Sequence, residues 1–217
     1  MTLDFQQQRI KMVDGQIRTS DVSNHAVLTA FLSVPREAFL PESLHELAYL
    51  DEDLPVAGGR FVMSAAPLAK LVQALGVDGG VVLDVGCATG YSSAILAQLA
   101  DTVVALEQDE TLAETAASAL SATGCDNATV VKGRLADGYA KEGPYDFVLI
   151  GGSVDELPAA FGDQLREGGR LVSVLGNGNA GVATVFVKEG GNLSSRRLFN
   201  WAVEPLPGFE RAAGFVF

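Results

Sequence analysis

Cysteine, histidine and tryptophan are scarce in this sequence: two, two and one among 217 residues. Cys87, Cys125, His25 and His45 show no metal-ligand spacing, and two thiols make no disulfide framework. A structural zinc site is excluded, and no short pattern joins these residues as a Cys–His nucleophile. Basic residues are few as well. Fifteen Lys and Arg stand against 27 Asp and Glu, for a net charge of −12. A surface of that sign repels phosphate backbones, so nucleic acid is not expected as a partner. Arg196-Arg197 is too little for a basic footprint.

Long apolar runs are missing too. The chain is 48% apolar, but in short runs broken by Gly, Pro, Asp and Asn, none near the ~20 residues a membrane span needs. Residues 1–8 lack the apolar core of a secretory signal. No membrane association and a cytoplasmic location are therefore expected. The oligomeric state is not written in the sequence.

What is present is an alternation. Val81–Val85, Thr102–Leu106, Ala128–Val131, Phe147–Ile150 and Leu171–Leu175 are β-branched or apolar runs that predict strands. Helical segments are predicted over about Ser92–Leu99, Thr111–Ala122 and Val154–Leu165. This order predicts a Rossmann-like, doubly wound α/β fold, a mostly parallel sheet with helices on both faces. Gly181–Lys188 and Arg196–Val203 flank Glu189-Gly190-Gly191-Asn192, an expected C-terminal antiparallel hairpin. The end, Phe215-Val216-Phe217, is apolar and is expected to dock on the core. Ahead of the sheet, Leu68, Leu71, Val72 and Leu75 mark one apolar helix face, with Pro67 in the first turn. One domain of 217 residues is expected, residues 1–77 forming a helical extension and 78–217 the cofactor-binding core.

Leu83-Asp84-Val85-Gly86-Cys87-Ala88-Thr89-Gly90-Tyr91 runs a buried strand through small residues into a helix. Such a loop lets a ligand approach the backbone and the helix N–H groups. A dinucleotide fingerprint needs glycine where Tyr91 stands, whereas Gly86-x-Ala88-x-Gly90 has the shape found in S-adenosylmethionine-dependent methyltransferases. Glu107 ends the next strand, where an acid can accept from ribose hydroxyls in either class. The plainer alternative leaves Asp84 and Glu107 as capping or solvated carboxylates.

Further stretches decide between these readings. Met12-Val13 with Gln16-Ile17, Val34-Pro35-Arg36-Glu37-Ala38-Phe39-Leu40-Pro41, Tyr49 to Pro55, Leu83 to Tyr91, Gly143-Pro144-Tyr145-Asp146, and Gln164-Leu165 with Glu167 to Leu171 occur in one order. In that order, over roughly residues 10 to 175, the chain resembles the protein-L-isoaspartate O-methyltransferases. The resemblance implies methyl transfer from S-adenosylmethionine to the carboxylate of isoaspartyl residues in a damaged protein or peptide. It implies a cofactor site of Asp84, Gly86, Ala88, Gly90 and Glu107, with the backbone of Arg134 and Leu135 at the adenine.

The sequence departs from the family at that site. The family's active-site serine falls on Met63, and the proline two further on is Ala65. Ser64 is the neighbouring hydroxyl that can serve as a catalytic group, or it simply caps the following helix. Ala88 replaces the middle glycine, and Arg134 replaces an adenine-binding aspartate, leaving a donor that stacks on adenine or pairs with Glu107. A catalytically silent member that acts as a binding or interaction module is the alternative. A nicotinamide-dependent oxidoreductase is disfavoured by Tyr91.

Overall fold

The computed structural model describes residues 4–176 and 178–210. Two helices, α1 (Phe5–Met12) and α2 (His25–Ser33), lead through short 3-10 turns to a two-stranded ribbon, β1 (Leu54–Pro55) and β2 (Phe61–Val62). Then follow α3 (Ala65–Leu75), β3 (Val81–Val85), α4 (Tyr91–Ala97), β4 (Thr102–Glu107), α5 (Glu110–Ala122) and β5 (Ala128–Lys132). The second half holds β6 (Tyr145–Val154), α6 (Ala160–Gln164), β7 (Leu165–Leu175), β8 (Val182–Glu189) and β9 (Asn192–Asn200). Among the described residues, seven strands form the main sheet in the order β5-β4-β3-β6-β7-β8-β9. The first five are parallel, while β8 and β9 close the edge antiparallel, as the sequence predicts.

The β8–β9 hairpin pairs Glu189 with Asn192 across Gly190 and Gly191, both at positive φ, the conformation that a two-residue turn between twisted strands demands. In α3, Leu68, Leu71, Val72 and Leu75 are all buried. They belong to a hydrophobic cluster that also takes in Val27, Leu28 and Phe31 of α2 and Val82 of β3, so the N-terminal helices and the sheet share one core.

One expected element is different. Residues 154–165 were predicted to be helical, yet only Ala160–Gln164 are. β6 runs on to Val154 because the chain beyond β9 returns beside it. Ser153 bridges Pro205 in parallel, Ser153 N–H donates to Glu204 O, and Leu206 N–H donates to Ser153 O, both at 2.9 Å. Leu206 and Phe209 of this returning segment are buried, so it docks on the core. Phe215-Val216-Phe217 lies outside the described residues.

The parallel strands fan outward from β3 in one direction and from β6 in the other. The carboxyl ends of β3 and β6 therefore form the crevice where open α/β sheets bind their ligands.

Candidate functional site

Asp84 pairs with Ala105 across β3 and β4, and Glu107 lies two residues beyond Ala105. With a period of two, Asp84 and Glu107 point to the same face of the sheet, at its carboxyl edge. Both are fully buried. The loop between β3 and α4 turns sharply over them, with Gly86 at φ 81°, Ala88 at φ 50° and Gly90 at φ 97°. A residue with a Cβ rarely adopts the left-handed region. At Ala88 that turn aims its N–H at Glu107 Oε2, 2.9 Å away.

The two acids are partnered very differently. Asp84 Oδ2 accepts from the hydroxyls of Ser92 (2.7 Å) and Ser93 (2.6 Å) in the first turn of α4. Its Oδ1 is buried with no hydrogen-bond partner among the described residues. Burial pushes the Asp84 carboxyl up to about 6, against the pull of the two serine hydroxyls. Burial also pushes the Cys87 thiol up, which leaves it inert as a nucleophile.

Glu107 has no acceptor capacity left. Its Oε1 accepts from Arg60 Nη1 (2.8 Å), Gln108 N (2.8 Å) and Asp109 N (3.1 Å); its Oε2 accepts from Arg60 Nη1 (2.9 Å) and Ala88 N. Those five contacts exceed the roughly four lone-pair sites of a carboxylate. The Arg60 and Glu107 side chains are 7% and 0% exposed. Arg60 Nη2 also donates to Gly86 O at 2.8 Å. The sequence reading missed Arg60, which lies 47 positions from its partner. Its one local signal is a charge directly ahead of the apolar run Phe61-Val62-Met63.

The ribbon delivers this guanidinium. Gly58 and Gly59 turn at φ 65° and 69°, Val56 N–H donates to Arg60 O, and Leu54 and Pro55 pair with Val62 and Phe61. A Cβ on Gly86 would stand 2.8 Å from Leu206 Cδ2 and 2.9 Å from Arg60 Nη2. The glycine that would let a ligand reach the backbone is thus covered by the chain's own side chains.

The other expected site residues fall as follows. Arg134 does not pair with Glu107, whose partner is Arg60: its side chain is 81% exposed, with Nε 3.8 Å from Asp137 Oδ2. Exposure to water serves its charge better than a crevice in which Glu107 is already neutralised. Leu135 is buried, and Gly133 N–H donates to Glu107 O, so the backbone of this segment does lie beside the acid. Ser64 stands at the N-cap position of α3 but its hydroxyl makes no cap hydrogen bond. Its backbone N–H is instead tied to Asp53 Oδ1 at 2.7 Å. Met63, not Ser64, lines two small cavities at this end of the sheet. One is walled by Asp53, Arg60, Met63, Glu204 and Leu206, the other by Val62, Met63, Gly86, Tyr91 and Gly151.

Each of these cavities is about 20 Å³, room for roughly one water, where small-molecule sites take about 300 Å³ or more. The free Oδ1 of Asp84 would suit an ammonium group. The saturated Glu107, the covered Gly86 and the missing volume do not suit a nucleoside. As folded, these residues do not fit S-adenosylmethionine.

Comparison with known proteins bears on what the site descends from. The family described as Protein-L-isoaspartate(D-aspartate) O-methyltransferase matches residues 7–207. Protein-L-isoaspartate O-methyltransferase 1 of Rhodopseudomonas palustris is 40% identical over 173 residues, 79% of this chain and 71% of that protein. The protein-L-isoaspartate O-methyltransferase of Koribacter versatilis is 33% identical over 205 residues, 94% of this chain and 92% of that one. A solved protein-L-isoaspartate O-methyltransferase structure superposes with a TM-score of 0.80 at 27% identity, covering 92% of this chain and 66% of that one.

Proposed function

Because this chain belongs to the protein-L-isoaspartate(D-aspartate) O-methyltransferase family, we propose that it methylates the carboxylate of isoaspartyl residues in damaged proteins or peptides. Members of the family use S-adenosylmethionine as the methyl donor. The observation that carries this reading is the family match over residues 7–207, which takes in the N-terminal segments and the whole of the β3–α4 loop. In this reading the crevice formed by Asp84, Gly86, Ala88, Gly90 and Glu107 is the donor side, with the segment at Arg134 and Leu135 at its margin. Ser64 is the nearby hydroxyl on the acceptor side. The acceptor carboxylate ionises near pH 4 and is anionic at neutral pH, so a strong general base is not required.

Among the described residues no helix is long and apolar enough to cross a membrane. A cytoplasmic site of action without membrane partners is part of the same proposal, as is the lack of a nucleic-acid partner, which is supported by the charge of −12.

The test is transfer of label from methyl-labelled S-adenosylmethionine to an isoaspartyl peptide, with the aspartyl peptide as control. Labelling of the first and not the second supports the reading. Absence of label, both from the wild type and from the opened variants described below, would sink it. A second reading, a silent member acting as a binding module, is favoured by one observation, the saturation of Glu107 by Arg60.

A further inference from the structure

We infer that Arg60 and Leu206 are internal occupants of the cofactor crevice, so that the folded chain holds itself closed against S-adenosylmethionine until the β1–β2 ribbon and the returning C-terminal segment are displaced. The inference rests on the methyltransferase reading for the identity of the ligand. Its physical basis is independent of that reading.

An acid at the end of the second strand binds a nucleoside by accepting from its ribose hydroxyls. Here the same carboxylate is filled by a guanidinium, with two contacts of 2.8 and 2.9 Å. One guanidinium nitrogen, Nη1, bridges both oxygens in a charge-assisted contact, and ribose hydroxyls, which are neutral donors, do not match it. The loop glycine is covered in the same way. Leu206 Cδ2 and Arg60 Nη2 stand where a Cβ on Gly86 would project, and Leu206 also lies against Gly152 of β6. Two peripheral pieces thus meet over one crevice. The ribbon brings a charge from one side, and the returning segment brings an apolar side chain from the other. Neither piece belongs to the main sheet. The ribbon forms its own two-stranded ladder and is tied to its surroundings by Arg36 through Val62 O and Met63 O. The segment is held to β6 by the Ser153 hydrogen bonds and by the packing of Leu206 and Phe209. Displacing both costs those contacts but breaks no pairing between the parallel strands.

The inference is tested by titrating the full-length chain with S-adenosylhomocysteine in a calorimeter. The variants are Arg60→Met, Leu206→Ala and the double variant, with circular dichroism as a check on folding. Arg60→Met frees the Glu107 oxygens while keeping side-chain length, and Leu206→Ala opens the face of Gly86 without touching a charge. Each is expected to bind at least about tenfold tighter than the wild type, and the double variant tighter still. Adding Glu107→Gln to the Arg60→Met background should remove that gain, which a generally loosened fold would not do. Should Arg60→Met leave Glu107 unpaired and fail to fold, Leu206→Ala carries the test alone. A wild type that binds as tightly as the variants overturns the closure and leaves the methyltransferase reading standing. No binding by any of the proteins also overturns it, and the methyl-transfer assay then judges the function separately.

Discussion

Asp84 and Glu107 are two fully buried acids on one face of one sheet, and their surroundings set them apart. Glu107 has a guanidinium and three backbone N–H groups; Asp84 has two hydroxyls on one oxygen and nothing on the other. An acid raised by burial stabilises the fold while protonated. Asp84 rises from 3.8 to about 6, so its contribution is fully present below pH 3.8 and is lost as the pH climbs through 6. That difference corresponds to on the order of 3 kcal/mol. Asp84→Asn keeps an acceptor for Ser92 and Ser93 and cannot ionise. Urea unfolding at a series of pH values should show the variant gaining stability relative to wild type between pH 4 and pH 7, by about that amount. A difference that stays flat across this range would mean that Asp84 is solvated or paired in solution. The two acids were legible in the sequence as a pair at adjacent strand ends. Their partners were not, because Arg60 and Leu206 reach the site from distant parts of the chain, and no local pattern encodes such a meeting.

Among the elements, those built by local rules are the ones the sequence predicts best. The bounds of β3 agree with the expectation, β4, β5 and α5 agree to within one residue, and the hairpin turns where two glycines allow it. By contrast, β6 runs on to Val154, and β7 begins at Leu165, six residues ahead of its expected start. The start of the stretch 154–165 was misread because β6 runs on to Val154 where Ser153 pairs with Pro205, about fifty residues later, which periodicity does not register. Arg36 shows a similar dependence in the N-terminal region. It is fully buried, donates to Ala48 O (2.7 Å), Met63 O (2.8 Å) and Val62 O (3.3 Å), and lies over the Tyr91 ring with 4.8 Å from Cζ to the centroid. The planar fork therefore ties the segment around residue 36 to β2 and the start of α4. Arg36→Lys keeps a charge but not the fork, and Arg36→Met keeps bulk alone. Each leaves carbonyls without donors, at about 1–3 kcal/mol apiece. Both variants should lower the urea midpoint by an amount equivalent to about 3 kcal/mol or more, with the slope unchanged. A loss below about 0.5 kcal/mol, the range of ordinary surface substitutions, would show that the clamp does not hold the segment.

For the molecule as a whole, the sequence suggests an extension over residues 1–77 and a core over 78–217, and the packing joins them. Phe31 in α2 is fully buried, its ring edge-on to Tyr91 at the start of α4 with 6.2 Å between centroids. The single tryptophan, Trp201, follows β9 at the other edge of the sheet, where Lys70 of α3 lies 5.9 Å from its ring centroid. Trp201 packs against the same hydrophobic cluster that holds Phe31. A shared core makes the helices and the sheet one cooperative unit, whereas two units joined by a thin contact would unfold in separate steps. Phe31→Ala removes a ring from that cluster and should cost about 3–5 kcal/mol. If the unit is one, tryptophan fluorescence and far-UV circular dichroism report the same unfolding midpoint in wild type, and both shift together in the variant, although Trp201 lies 170 positions from the change. A variant in which the dichroism midpoint falls while the fluorescence midpoint stays would show that residues 1–77 unfold on their own. The ribbon that carries Arg60 belongs to that first region, so its cooperation with the sheet decides whether the crevice opens by a local movement of the ribbon or only as the entire fold loosens.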